Sequence, residues 1–180
     1  QGVLVASDII VDVAMNQGFD TKKSEVHGMA QRGGSVVSQV RYGTKIYSPL
    51  IQDGHADVIL AFEKLEALRY LDFLKPNGVI IFNTQQITPL TVYFTDIQYP
   101  DDILERCQKK TPHVIDVDAI KIAEELGNLK VLNSIMLGAL SNHVEFSEDI
   151  WLESIGKRVP KKTIELNTEA FQKGRELKEN

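Results

Sequence analysis

The sequence predicts an α/β domain organised around a mainly parallel sheet, with a helical segment at its C-terminal end. Three observations predict it. Two nearly continuous apolar runs, residues 56–62 and 79–83, read as strands buried on both faces, and a helical period separates them. A further run at residues 114–117 leads directly into another helical period. The last 50 or so residues, from Asn128 onward, carry helical periods and no convincing strand.

Taken in order, residues 3–15 are apolar nearly all round, broken by Ser7, Asp8 and Asp12, and Gly18 stands where a C-terminal cap belongs; this is a largely buried helix. A helix that opens on Gln1-Gly2 with no strand before it implies a leading strand and turn upstream. Residues 19–26 read as extended and 27–34 as a loop. Residues 35–42 alternate and are rich in β-branched side chains, a strand ending at Gly43. A loop over 47–54 precedes the strand at 56–62. Residues 63–74 form a helix with Leu65, Leu68 and Leu71/Leu74 on one face, and Lys75-Pro76-Asn77-Gly78 is a turn before the strand at 79–83.

A short strand is expected at 91–94. Tyr99-Pro100-Asp101-Asp102 opens a helix with acidic groups in its first turn, where the helix dipole favours them. Ile103 and Cys107 lie four apart on one face of it, so Cys107 reads as a small buried hydrophobe. After the strand at 114–117 come a helix over 118–126 capped by Gly127, a helix over 128–143, and two more over 147–155 and 163–178. Ser134, Gly138 and Ala139 are small enough to allow close helix packing, and Trp151, among Ile150, Leu152 and Ile155, reads as a packing anchor. The expected organisation is a single domain over 1–180: an α/β core at 1–127 and a helical segment at 128–180 packed on it or reaching toward a partner.

Composition removes several function classes. With 43% hydrophobic residues in 180, the chain can bury a core without disulfides or metals. A net charge of -5 argues against a nucleic-acid binder, and the densest basic stretch, Lys157-Arg158-Val159-Pro160-Lys161-Lys162, falls between two helical patterns and reads as a solvated connection. No apolar run reaches the ~20 residues needed to cross a bilayer, and no signal peptide is evident, so a cytoplasmic location is expected. The single cysteine, Cys107, excludes an internal disulfide and suits a reducing compartment. An iron–sulfur cluster takes about four cysteine ligands, and His27, His55, His113 and His143 show no metal-ligand spacing. No metal is expected in this chain; if it takes part in electron transfer, the electrons pass through another one.

The stretch 27–35 is unusual on physical grounds. It holds three glycines, one arginine, one histidine and one glutamine in nine positions. Glycines let a backbone approach another surface closely, successive N–H groups can form an anion-binding nest, and Arg32 adds a planar fork of donors suited to a carboxylate or phosphate. A solvated strand connection is the plain reading of the same composition.

The run Ser24-Glu25-Val26-His27-Gly28-Met29-Ala30-Gln31-Arg32-Gly33-Gly34-Ser35 resembles the hallmark loop of the small (beta or gamma) subunits of 2-oxoacid:ferredoxin oxidoreductases, and is most similar to that of the indolepyruvate branch. The segment Ala61-Phe62-Glu63-Lys64-Leu65-Glu66-Ala67-Leu68-Arg69-Tyr70 is similar to the family's strand-to-helix segment. Asn83-Thr84, Leu126-Gly127-Asn128, Leu137-Gly138-Ala139-Leu140 and Lys157-Arg158-Val159-Pro160 resemble the family as well, so the resemblance covers essentially the whole chain. Gln1-Gly2 resembles the end of the family's Gly-x-Gly-Gly-Gln-Gly turn, whose earlier glycines are not in this sequence.

The resemblance implies a three-layer Rossmann-like fold and a subunit that bears no cofactor of its own. The complex would oxidatively decarboxylate a 2-oxoacid, an aryl pyruvate such as indolepyruvate, with coenzyme A and ferredoxin. Thiamine diphosphate and [4Fe-4S] clusters would sit in a large partner subunit, and ferredoxin would accept electrons through the complex. On that footing no catalytic residue is expected in this chain. The loop residues Glu25, His27, Gly28, Gln31, Arg32, Gly33, Gly34 and Ser35 would meet substrate, coenzyme A or the partner subunit. Glu25 is expected to grip the loop's N–H groups rather than to activate thiamine, and His27 either to face the interface or to fix the loop. An apolar docking surface is expected on the loop with Met29 and on the C-terminal helices bearing Trp151, Ile155, Ile164 and Phe171, which would let the isolated chain self-associate. Two other readings stand beside this one: a stand-alone Rossmann-like dinucleotide-binding protein, whose only support is the turn ending in Gln1-Gly2, and a non-catalytic scaffold module.

Overall fold

A computed structural model describes residues 2–28, 35–88 and 98–177. The chain opens with helix α1 (Gly2–Asn16), followed by strands β1 (Asp20–His27) and β2 (Val36–Gly43), which pair as an antiparallel hairpin with Asp20 opposite Gly43 and His27 opposite Val36. Strands β3 (Ala56–Ala61), β4 (Leu74–Asn83) and β5 (Val114–Val117) form a parallel sheet in that order. Helix α2 (Lys64–Arg69) connects β3 to β4, and α3 (Ile103–Lys110) precedes β5. Helices α4 (Ala119–Glu125), α5 (Leu132–Ser141), α6 (Glu148–Arg158) and α7 (Ile164–Arg175) complete it. The strand expected at 91–94 lies outside the described residues.

The pleat of β4 builds the layers. Side chains alternate faces along a strand. Ile80 and Phe82 join a core with Ala67 of α2 and Ile103 and Cys107 of α3. Ile81, between them, joins the larger core formed by Ile9 and Val13 of α1, Ile135 and Met136 of α5, Trp151 of α6 and Phe171 of α7. The parallel sheet therefore lies between two helical layers, the three-layer α/β arrangement that alternating strands and helices predict. The antiparallel hairpin is the departure from a mainly parallel sheet: among the described residues it forms a separate two-stranded sheet.

His27 belongs to β1 rather than to the loop, the helix expected over 128–143 opens as a 3₁₀ turn at Leu129–Val131, and two further boundaries differ around β4. Glu63 caps α2, its carboxylate accepting from Leu65 N at 2.8 Å and Glu66 N at 3.2 Å; the helix ends at Arg69, a 3₁₀ turn follows over Leu71–Phe73, and Leu74 already belongs to β4. The turn expected at 75–78 is a bulge inside β4: Ala56 pairs with Leu74 but Val58 with Val79. Pro76 offers no N–H to the ladder, Asn77 takes a positive φ of 60°, and a Cβ on Gly78 would come within 3.0 Å of the Asp57 carbonyl.

The C-terminal helices correct the expectation of a docking surface there. Trp151, Ile155 and Phe171 are fully buried, and Trp151 packs between Phe146, which meets it edge-on, and Phe171, which is tilted to it, with ring centroids 6.4 and 6.1 Å away. They are core because α5, α6 and α7 close over one face of the sheet. Of the four residues proposed for that surface, Ile164 alone is exposed. The close helix packing expected from small residues is present: a Cβ on Gly138 of α5 would stand 2.1 Å from the Phe171 carbonyl oxygen, and one on Gly174 of α7 would stand 2.0 Å from that of Ile135. Alongside, Ser134 Oγ donates to Asn167 Oδ1 at 2.7 Å.

Cys107 is fully buried, and burial pushes its thiol up to about 11. At neutral pH that leaves roughly a hundredfold less thiolate than an exposed cysteine has, before any steric hindrance. Folded protein is therefore expected to resist alkylation by iodoacetamide while protein in denaturant labels fully; equal labelling rates, read by intact mass, would remove Cys107 from the core. No described helix is long and apolar enough to cross a membrane.

Candidate functional site

The β1–β2 hairpin presents the loop that the sequence singles out. On β1, Lys23, Glu25 and His27 alternate with Ser24 and Val26, so three polar groups share one face of the strand. Lys23 Nζ lies 2.5 Å from Glu25 Oε1 and also pairs with Asp8 of α1. Arg158 of α6 grips Asp12 through Nε at 2.6 Å and Nη2 at 2.9 Å, with Nη1 3.3 Å from Asp8 Oδ2. A chain of ion pairs thus ties the hairpin to α1 and α1 to α6. Each is partly exposed and worth at most about 1 kcal/mol, so its effect is on where β1 sits more than on global stability.

The Lys23 ammonium hydrogen-bonded to it holds the Glu25 carboxyl below the usual carboxylate range, with a smaller contribution from His27. His27 Nε2 stands 3.5 Å from Glu25 Oε2, and its side chain is 55% exposed. Glu25 is therefore engaged with Lys23 and His27; whether it also meets N–H groups of residues 29–34 lies outside the described residues. Gly28 N donates to the Ser35 carbonyl at 2.8 Å, which closes the neck of the loop. Ser35 Oγ donates to Glu66 Oε2 at 2.7 Å, and Glu66 Oε1 pairs with Arg69 at 3.1 Å, so the loop's far side is moored to α2. Val26, paired with Val37 near the loop end of β1, is 62% exposed.

Of the predicted site residues the structure thus brings together Glu25 with His27 and Gly28 with Ser35. Gln31, Arg32, Gly33 and Gly34 lie outside the described residues, as does Met29. Sequence reasoning missed Lys23 and Glu66. Lys23 could have been found, since Lys23 and Glu25 are spaced by two on the predicted extended segment 19–26; the structure extends that strand to His27, which the sequence alone places in the loop. Glu66 could not, because it is 31 residues from Ser35 and only the fold joins them.

Glu63 is the most buried charged group near the site, and all of its capacity is structural. Oε2 caps α2, while Oε1 accepts from Ile87 N at 3.2 Å and from the Tyr99 hydroxyl. Burial and the facing carboxylate push the Tyr99 hydroxyl far above its ordinary range, so Tyr99 remains a donor. Among the described residues no cluster of three or more His, Cys, Asp or Glu side chains is placed to hold a metal ion. An open cleft of about 1660 Å³ runs between β2 and β3.

The profile of the family described as pyruvate ferredoxin/flavodoxin oxidoreductase matches residues 1–177. The chain belongs to this family. Within it, the chain is similar to the indolepyruvate oxidoreductase subunit IorB of Thermococcus kodakarensis (39% identical, covering 97% of this chain and 89% of the relative). It is equally similar to the IorB subunit of Archaeoglobus fulgidus (40% identical, covering 97% and 88%). Among solved structures, the gamma subunit of a keto/oxoacid ferredoxin oxidoreductase from Geobacter sulfurreducens superposes with a TM-score of 0.70 at 23% identity, over 97% of this chain and 90% of that one. The 2-oxoglutarate:ferredoxin oxidoreductase of Magnetococcus marinus superposes with a TM-score of 0.72 at 22% identity, and there the match spans 97% of this chain but 28% of the other. At these identities the two structures establish the fold of this oxidoreductase-family chain, and in the second that fold is one part of a much longer polypeptide.

Proposed function

We propose that this chain is the small, cofactor-free subunit of a 2-oxoacid:ferredoxin oxidoreductase, and that its complex acts on aryl pyruvates such as indolepyruvate. The observation that carries the reading is membership of the oxidoreductase family along almost the whole chain, at close to 40% identity to subunits named for indolepyruvate. The residues present do not fit the redox groups the reaction needs. A cluster requires about four thiolates, and the one cysteine here is buried and protonated. Thiamine diphosphate and [4Fe-4S] clusters are accordingly assigned to a large partner subunit, and ferredoxin takes electrons there.

In this reading the chain's own contribution is recognition. The loop carrying Glu25, His27, Gly28, Gln31, Arg32, Gly33, Gly34 and Ser35 faces substrate, coenzyme A or the partner. What supports it is the neck closed by Gly28 and Ser35, the Glu25–His27 pair beside it, and the exposed apolar Val26 on β1 next to that neck. The isolated chain is expected to be colourless and inactive. Co-expressed with a large thiamine- and cysteine-rich subunit, it is expected to co-elute and to support 2-oxoacid-dependent ferredoxin reduction. A large subunit that reduces ferredoxin equally well without this chain, or a chain that never co-elutes even at low salt, would overturn the assignment.

A further inference from the structure

Burial falls away along β1 toward the neck of the loop. Asp20 to Ser24 are half-buried, whereas Glu25, Val26, His27 and Gly28 are exposed. Across the ladder, Val36, Val37 and Ser38 of β2 are half-buried rather than buried. Packing alone does not fix the neck, where Gly28 N meets the Ser35 carbonyl, so polar contacts decide where it stands. One of them reaches out of the hairpin to α2. Glu66 Oε2 takes the Ser35 hydroxyl at 2.7 Å while Glu66 Oε1 takes Arg69 at 3.1 Å, so each oxygen of this carboxylate has its own partner. The turn that carries Glu66 is itself anchored. Glu63, three residues earlier, caps the helix and accepts from Ile87 N and the Tyr99 hydroxyl, and Ala67 is fully buried.

The Ser35–Glu66 bond thus ties the neck of the loop to a fixed point on the unit formed by β3, α2 and β4. Magnitudes decide what such a bond does. The Glu66 side chain is 28% exposed, and a polar contact in that setting adds little to global stability. A recognition group displaced by about 1 Å, by contrast, loses on the order of a hundredfold in rate. We propose that Glu66 is a positioning residue: through Ser35 it sets where the recognition loop stands against the parallel sheet, and so how well the loop meets an anionic ligand. That ligand is the carboxylate of the 2-oxoacid or a phosphate of coenzyme A, and Glu66 itself touches neither. The inference deepens the recognition role given to the loop under the proposed function and rests on it.

The test compares Glu66→Ala, Ser35→Ala, their double substitution and Ser35→Thr in the reconstituted complex. Each single alanine variant is expected to lower kcat/KM about tenfold. The loss should fall in KM, with kcat held within about twofold, because a displaced binding group weakens ground state and transition state alike. Which KM rises, that for coenzyme A or that for the 2-oxoacid, identifies the anion. The double substitution should be no worse than either single one, since both remove the same bond. Ser35→Thr keeps the hydroxyl and should stay within about twofold of wild type. A readout apart from activity is hydrogen exchange in the chain itself. In Glu66→Ala the Gly28 amide should exchange about tenfold faster, while amides at the other end of the hairpin, around Asp20 and Gly43, keep their rates. Unchanged KM values, single-variant effects that add, or a loss confined to kcat would overturn the inference; a smaller folded fraction produces the last of these. Failure of the proposed function looks different: the large subunit then reduces ferredoxin without this chain, or never co-elutes with it.

Discussion

Replacing Gly138 with alanine is expected to destabilise the protein by about 3 kcal/mol, a fall in Tm of roughly 6–12 °C for a chain of this size. The new methyl group would stand 2.1 Å from the Phe171 carbonyl oxygen, which is backbone and cannot rotate away. Alanine's better helix propensity returns at most about 1 kcal/mol, so the clash wins. Gly174→Ala should behave alike, because its Cβ meets the Ile135 carbonyl at 2.0 Å. Gly156 in α6 is the control: nothing lies within 4 Å of its Cβ, so Gly156→Ala should stabilise slightly. Thermal melts of the three variants decide it, and a Gly138→Ala protein that melts with the wild type would show that α5 and α7 do not pack as described.

Arg32→Ala is expected to leave the fold intact and to lower the activity of the assembled complex ten- to hundredfold. A surface-loop substitution normally changes stability by only about 0.5 kcal/mol, and the composition of residues 27–35 predicts such a loop. Losing a charge-assisted contact at an active-site interface costs about 1.5–3 kcal/mol, which is that range in rate or coenzyme A affinity. Arg32→Lys should restore only part of it, because a point charge cannot reproduce the guanidinium fork. The measurement is kcat/KM for coenzyme A and for the 2-oxoacid in the reconstituted complex, beside a melt of the isolated subunit. Kinetics unchanged from wild type would remove Arg32 from the recognition loop.

Element types were legible in the sequence where one periodicity dominates. The runs at 56–62 and 79–83 are β3 and β4, and the small residues Ser134 and Gly138 do mark a close helix contact. A break between two extended segments was legible at residues 27–34, where glycines cluster, and β1 ends at His27 and β2 begins at Val36. That this loop meets another surface is a proposal from the same composition and the family resemblance. Less legible was where apolar side chains go. Trp151, Ile155 and Phe171 fit a partner-facing stripe as well as a core, since amphipathic spacing says that a face is buried but not against what.

The sequence by itself determined the α/β class, the order of the described strands and helices, a cysteine count of one, and the run that carries the family resemblance. These depend on residue type and short-range spacing, which a linear chain states directly. Only the tertiary structure decided that β1 and β2 form a separate antiparallel hairpin, that Ser35 is moored to Glu66, that Glu63 gathers Ile87 and Tyr99 at the end of β3, and that β2 and β3 flank an open slot. Each of these joins groups distant in the chain, and such pairings are selected by the burial and hydrogen-bond satisfaction of the whole fold, which no local pattern encodes.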